Sequence, residues 1–142
     1  VRISPEDAEA FNNRGLTFDA LGDYQSALED YDQALVIRPE FAEAHSNRGA
    51  VLEAQGVLEG ALESYTLALA SNPRLASAHY NAARVYSQTG DVAACLRHLD
   101  NVLELAPELA QDAAQDEHLG WALKMKNMRE EQSAEDFRGD AF

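Results

Sequence analysis

The chain has 142 residues and a net charge of −14, from 11 lysines and arginines against 25 aspartates and glutamates. This balance excludes nucleic acid and anionic membrane surfaces as expected partners, because both require a basic footprint. Hydrophobic residues make up 46% of the chain, which suffices for one domain with a hydrophobic core. The single cysteine excludes an internal disulfide. No apolar run approaches the roughly 20 residues that span a bilayer.

After a short lead-in, 1–7, the sequence repeats with a period of 34 residues. Prolines, glycines and asparagines recur in one register, namely Pro39, Pro73 and Pro107, then Gly22, Gly56 and Gly90, then Asn13, Asn47 and Asn81. A period of this length indicates an array of small units, each of which buries its apolar face against its neighbours. The predicted units are 8–41, 42–75 and 76–109.

Each unit is predicted to be two helices joined by a tight turn. In the first unit, apolar residues at helical spacing over 8–20 indicate one helix, and Gly22 supplies the left-handed residue that ends it. Asp23 can cap the second helix. That helix stops before Pro39, because the residue preceding a proline avoids helical angles. The other two units repeat this pattern.

Small residues in mid-helix predict a close approach between the two helices of each unit. A glycine there costs about 1 kcal/mol relative to alanine, which is tolerated where backbones must meet. We expect Gly15, Gly49 and Ala83 on the first helices to face Ala27, Ala61 and Cys95 on the second ones.

Two arginines on first helices, Arg14 and Arg48, are predicted to face the second helices, where a lone guanidinium would be costly. Asp30 is the expected partner of Arg14, and Arg48 is expected to reach the same carboxylate from the next unit.

Past Leu109 the register weakens, and 110–129 is predicted to be one helix that caps the third unit. Its expected packing face is formed by Ala110, Ala113, Ala114, Leu119, Ala122 and Leu123. Residues 130–142 are polar and charged, with Phe137 and Phe142 as their only large apolar residues, and are predicted to be frayed or disordered. Seven helices and no strand are therefore expected.

These features resemble the tetratricopeptide repeat (TPR) family, whose unit is a 34-residue helix–turn–helix with a pattern ending in proline. The resemblance covers 102 of the 142 residues. It implies an all-α fold, a right-handed superhelix or α-solenoid, with the first helix of each unit lining a concave groove. It also implies a role in protein–protein recognition, as a scaffold, adaptor or assembly factor.

The family's groove positions give the candidate partner-binding residues. They are Glu9, Asn12, Asn13, Leu16, Asp19, Glu43, Asn47, Ala50, Glu53, Tyr80, Asn81 and Arg84. A row of asparagine amides can both donate to and accept from a peptide backbone, so it could hold an extended chain without reading its side chains. The alternative interpretation is that asparagine is merely tolerated on a polar helix face.

The groove is predicted to be acidic in its first two units, with Tyr80 and Arg84 at the other end. A partner with a basic segment would complement it, although an ordinary solvated face remains the alternative. Members of the family that bind chaperone tails use a carboxylate clamp, whose positions here are Asn12, Leu16, Asn47, Ser77 and Asn81. Only Asn47 matches, so binding of a chaperone tail is not expected.

Other chemistry is not expected. His45 and His79 lie one repeat apart, too far to share a metal ion, and are predicted to pack in the slot of a large residue. Cys95 lies in a core position and behaves as a small hydrophobic residue. No phosphate loop, metal spacing or nucleophile triad is present, which predicts a protein that is not an enzyme and has no cofactor.

A self-assembling homo-oligomeric scaffold is the alternative function. Trp121, Met125 and Met128 form a stripe at helical spacing, which either packs on the third unit or forms a second contact surface. The sequence begins at Val1 without methionine, as expected of a processed protein or of an excised domain. A soluble protein of a cytoplasmic or stromal-type compartment is expected.

Overall fold

A computed structural model describes residues 3–140, with the side chain of residue 140 left out. The ends of the predicted lead-in and tail, 1–2 and 141–142 with Phe142, lie outside the described residues. Within 3–140 there are eight α-helices, one short 3-10 helix and no strand. The helices are α1 (Ala8–Ala20), α2 (Tyr24–Ile37), α3 (Ala42–Ala54), α4 (Leu58–Ser71), α5 (Ala76–Thr89), α6 (Val92–Leu105), α7 (Ala110–Gln115) and α8 (Gly120–Asp140), and the 3-10 helix (Pro107–Leu109) precedes α7.

Glycines with positive φ join the two helices of each hairpin, as predicted. Gly22, Gly56 and Gly90 have φ of +77°, +78° and +85°. No atom lies within 4 Å of a Cβ built on them, so backbone conformation rather than space favours glycine here. The Asp23 carboxylate accepts from the Ser26 backbone N–H at 3.2 Å and caps α2.

Prolines separate the hairpins, also as predicted. The second helices end at Ile37, Ser71 and Leu105, each two residues before Pro39, Pro73 or Pro107. Successive hairpins stack through α2 on α3 and α4 on α5, and the first helices α1, α3 and α5 also contact each other in order. The result is an all-α helical repeat solenoid, in which the first helices form one continuous layer.

The close approach inside each hairpin involves a different partner from the predicted one. A Cβ on Gly15 would lie 2.6 Å from Cε1 of Tyr31, and a Cβ on Gly49 would lie 2.6 Å from Cε1 of Tyr65. The buried tyrosine rings therefore require glycine, not the alanines at Ala27 and Ala61. In the third hairpin, Ala83 replaces glycine, and Leu99 stands at the position of the tyrosines.

Two helices stand where the sequence predicts one capping helix over 110–129, so the predicted total of seven is wrong. The chain leaves helical geometry at Asp116, whose φ is −71° and ψ 129°. The Asp116 carboxylate accepts from the His118 backbone N–H at 2.8 Å, and its carbonyl accepts from Gly120 N–H at 3.0 Å. An aspartate that bonds to the backbone two residues on offers an alternative to the helix, and this was the missed signal.

Four of the six residues of the expected capping face pack on the third hairpin. Ala113, Leu119 and Ala122 are fully buried in one cluster with Cys95 and Leu99, and Leu123 packs against it. Ala110 lies outside this cluster and Ala114 is exposed, so the predicted face is confirmed only in part.

The tail differs from its prediction, because α8 continues as helix to Asp140. Its sequence has no proline, and Lys126 ties it to α6 through an ion pair of 2.6 Å with Asp100. Residues 127–139 have exposed side chains only. This stretch is helical without packing on the solenoid.

Candidate functional site

The surface that the first helices form is called here the groove face. It comprises the predicted positions on α1 (Glu9, Asn12, Asn13, Leu16, Asp19), on α3 (Glu43, Asn47, Ala50, Glu53) and on α5 (Tyr80, Asn81, Arg84). Two direct contacts connect neighbouring helices across it: Asn47 donates to Asn12 Oδ1 at 3.0 Å, and Arg84 bonds to Glu53. The structure therefore brings Asn12 together with Asn47, and Glu53 together with Arg84, across neighbouring first helices.

The three asparagines in register are not equivalent. Asn13 is exposed, whereas Asn47 and Asn81 are half-buried. Asn47 donates one amide hydrogen to Asn12, which is only 7% exposed, and this bond connects α3 to α1. Each amide still has further donor and acceptor positions.

Arg84 and Glu53 form the most tightly bonded contact on the groove face. Arg84 Nε and Nη2 lie 2.7 and 2.6 Å from Glu53 Oε2, and the Tyr65 hydroxyl donates to Glu53 Oε1 at 2.9 Å. Burial by itself lowers the Arg84 pKa, but the charges of Glu53 and Asp116 outweigh it, and the net pKa is raised. Burial, followed by the charge of Glu53, raises the Tyr65 pKa. The junction of α3 and α5 thus supplies its own counter-ion.

The segment after α7 covers the third-repeat end of the groove face. The Tyr80 hydroxyl donates to Asp116 Oδ2 at 3.2 Å, and Arg84 Nη1 lies 3.8 Å from the same oxygen. Burial and the charge of Asp116 raise the Tyr80 pKa to about 12. The Ser87 hydroxyl donates to the His118 carbonyl at 2.5 Å. The charge of Arg84 is therefore neutralised by Glu53 and Asp116 of the chain itself.

The acidic character of the groove face rests on fewer residues than predicted. Glu53 is paired, while Glu43 is exposed. Glu9 Oε1 lies 3.8 Å from Arg38 Nη1, but the two side chains are 71% and 49% exposed, and such a surface pair contributes little. Asp19 is half-buried, and burial raises the pKa of its carboxyl.

The two arginines behind this face form ion pairs of different kinds, Arg14 within its own hairpin and Arg48 with the preceding one. Arg14 Nε and Nη2 lie 2.7 and 2.8 Å from the two oxygens of Asp30, which confirms the first predicted ion pair. The prediction for Arg48 is wrong. It bonds Asp32 Oδ1 at 2.8 Å and Ser64 Oγ at 3.0 Å. Ser64 occupies in the second unit the place of Asp30 and accepts from Arg48 there, while the carboxylate that Arg48 reaches in the first unit is Asp32 and not Asp30.

The histidines in the large-residue slot bond to backbone. His45 Nε2 and His79 Nε2 each lie 2.8 Å from the carbonyl oxygen of the proline six residues before, Pro39 or Pro73. A carbonyl only accepts, so Nε2 of His79 carries the proton, and its Nδ1 accepts from His98 Nδ1–H at 3.0 Å. Burial, then the neighbouring His79 and Arg97, lowers the His98 pKa to about 4.

This His98 pKa predicts a loss of stability in mild acid. Unfolded histidine titrates near pH 6.5. Between about pH 6.5 and 4 the unfolded chain therefore binds more protons at this site than the folded chain, so stability falls as the pH falls through that window. Urea unfolding across this range should show a shallower loss for His98→Asn, whose amide can still donate to His79. Carboxylates titrate in both proteins and cancel in the comparison. Parallel curves would contradict the assignment.

The stripe on α8 is partly anchored and partly free. The Trp121 indole N–H donates to Ser87 Oγ at 2.8 Å, with the residue 37% exposed, and Met128 is 68% exposed. Met125 lies between them on an open groove that Lys124, Arg129 and Gln132 also line. Trp121 is thus tied to the third unit, whereas Met128 is exposed, and a second contact surface stays a prediction.

The described part of the chain, residues 3–140, contains no group of three or more histidine, cysteine or acidic side chains placed to hold a metal ion. None of its helices has the length and hydropathy needed to cross a bilayer. Burial raises the Cys95 pKa to about 11, so the thiol is a packed side chain and not a ready nucleophile.

Family models identify the repeats. A TPR repeat model matches residues 20–56, and a tetratricopeptide repeat model matches residues 76–109. Together the matches cover 71 residues, half of the chain. A search of the curated proteins finds no match.

Solved structures with the same fold share little sequence with the chain. MamA is 22% identical over 90% of this chain and 73% of its own, with a TM-score of 0.75. The Yersinia enterocolitica type III secretion chaperone SycD, in complex with a peptide of the translocator YopD, is 20% identical over 84% and 93%, with a TM-score of 0.71. The first TPR of Spaghetti (RPAP3), bound to the HSP90 peptide SRMEEVD, is 16% identical over 91% and 97%, with a TM-score of 0.73.

Proposed function

Since the chain belongs to the tetratricopeptide repeat family, we propose that it is a non-enzymatic protein–protein interaction module. It binds an extended segment of a partner protein along the groove face, in the manner of an adaptor or assembly factor. One observation carries the proposal: α1, α3 and α5 present amides in a 34-residue register on one continuous surface. A peptide laid across them would meet donors and acceptors at each repeat.

Two structures of similar fold hold peptides. SycD holds a peptide of YopD, and the RPAP3 domain holds the acidic HSP90 peptide SRMEEVD. The present groove face favours a different partner from the latter, because Glu9, Asp19 and Glu43 carry its unpaired or weakly paired charges and its arginine is neutralised. We therefore expect a basic or neutral segment, whose encounter would be accelerated by a chain of net charge −14.

The test is a set of 12-residue peptides in basic, neutral and acidic groups, whose affinities are measured by calorimetry. Asn13→Ala, Asn47→Ala and Asn81→Ala combined should weaken the tightest binder roughly 10- to 1000-fold, because each lost hydrogen bond contributes about 0.5–1.5 kcal/mol. The matched control combines Gln25→Ala, Gln33→Ala and Thr66→Ala, exposed polar residues of the second helices α2 and α4. Equal affinities for the two triple variants, both folded, would move the binding site off the groove face.

The self-assembling scaffold is the second candidate, and the exposed part of the α8 stripe favours it. Trp121, Met125 and Met128 offer an apolar contact that the solenoid leaves partly uncovered. Light scattering over a concentration series separates the candidates. A mass that stays monomeric removes the scaffold, whereas a dimer that Met128→Asp dissolves would support it.

A further inference from the structure

The two junctions between first helices have the same register but different contents. At the junction of α3 and α5, Glu53 receives Arg84 from the next helix and the hydroxyl of Tyr65 from its own hairpin. At the junction of α1 and α3 the corresponding residues are Asp19, Ala50 and Tyr31. The acid and the tyrosine are retained, and the arginine is replaced by a methyl group.

The first junction consequently has polar groups without a counterpart from the described chain. Asp19 forms no ion pair within residues 3–140 and is half-buried. Tyr31 is 0% exposed, and its hydroxyl is the buried side-chain polar atom that has no hydrogen-bond partner among the described residues. A buried hydroxyl left unpaired is unfavourable, so a bound group that draws a carboxylate oxygen toward the Tyr31 hydroxyl would be favoured.

The second junction shows which group satisfies such a site. Nε and Nη2 of Arg84 both bond to Glu53 Oε2, while the other oxygen takes the tyrosine hydroxyl. This side-on geometry needs the planar fork of a guanidinium and is not reproduced by an ammonium group. Leu16, one turn before Asp19 on α1, is 42% exposed and offers an apolar contact for the methylenes of a long side chain.

We propose that the junction formed by Asp19, Tyr31 and Ala50 binds an arginine side chain of the partner protein, in the position that Arg84 fills at the next junction. This inference rests on the proposed function, because the arginine would belong to the segment bound along the groove face. It narrows the expected class of partner from any basic segment to a segment that places an arginine side chain at the first junction.

The test titrates the intact protein with two capped tripeptides, acetyl-Gly-Arg-Gly-amide and acetyl-Gly-Gln-Gly-amide, and follows backbone amides by NMR. The arginine peptide should shift the amides of Asp19 and Ala50, and the glutamine peptide should not. Asp19→Asn should weaken the arginine peptide about 10- to 100-fold, as expected for a hydrogen bond to a charged group. Glu43→Gln makes the same kind of change at an exposed carboxylate of the same face, and it should change the affinity for the arginine peptide less than about twofold.

Ala50→Arg provides the converse variant. Its own guanidinium should occupy the site, abolish binding of the arginine peptide and raise the melting temperature. Equal shifts with both tripeptides, no shift with either, or arginine binding that survives both Asp19→Asn and Ala50→Arg would each overturn the proposal.

The tightest 12-residue binder separates this inference from the proposed function. If the triple asparagine variant binds that peptide more weakly while Asp19→Asn and Ala50→Arg bind it with unchanged affinity, the arginine site is wrong and the proposed interaction module stands. If none of the three variants binds the peptide more weakly, the assignment of the binding site to the groove face is itself wrong.

Discussion

Replacing Leu119 by alanine is expected to lower the free energy of unfolding by about 2–5 kcal/mol, the usual cost of truncating a large buried aliphatic side chain. Leu119 is 0% exposed and lies in the cluster that joins α8 to Cys95 and Leu99. It is also the first residue past the Asp116 turn to enter the core, so its loss loosens the whole cap. Urea unfolding followed by circular dichroism measures the change.

Phe137→Ala is the matched control for the cap. Phe137 is 78% exposed on the same helix, and its loss should change stability by less than about 0.5 kcal/mol. Equal effects of the two substitutions would mean that α8 is not held by this cluster. Ending the chain after Leu109 should go further and produce association, because Tyr86 and Leu96 would join the exposed apolar surface.

The second large effect is expected from Gly15→Ala. The added methyl would lie 2.6 Å from the fully buried ring of Tyr31, and overpacking of this kind costs about 1–3 kcal/mol, of which alanine's better helix propensity offsets at most about 1 kcal/mol. Adding Tyr31→Leu should recover most of the loss, because the third hairpin already combines Ala83 with Leu99. Tyr31→Leu alone should be destabilising, since it leaves a cavity.

A double-mutant cycle on Gly15 and Tyr31 measures this compensation as a favourable coupling of about 1 kcal/mol or more. Gly139→Ala serves as the control, because a Cβ at Gly139 would have no atom within 4 Å and alanine favours the helix. If the losses from Gly15→Ala and Tyr31→Leu simply add, the ring does not set the requirement for glycine.

The periodic features of the fold could be predicted from the sequence because they are local. The positive φ of Gly22 and the end of α2 before Pro39 follow from what those residues permit in any chain. Arg14 meets Asp30 for a similar reason, since one hairpin fixes their distance.

Features outside the register could not be predicted in this way. The turn at Asp116 depends on one carboxylate competing with the helix for backbone N–H groups, and helical spacing over 110–129 conceals it. Arg48 bonds to Asp32 and Ser64 instead of to Asp30, and this selection depends on side-chain geometry that the sequence does not give. The pairing of Arg84 with Glu53 needed the stacking offset between hairpins, which no single repeat contains.

The cap also constrains how copies of this chain could associate. Head-to-tail growth of identical subunits requires two complementary ends, and it yields rings or open filaments. Here Leu119 and Ala122 occupy the apolar side of the third hairpin, so one of those ends is already covered. End-to-end growth through the third hairpin would accordingly require the cap to be displaced first.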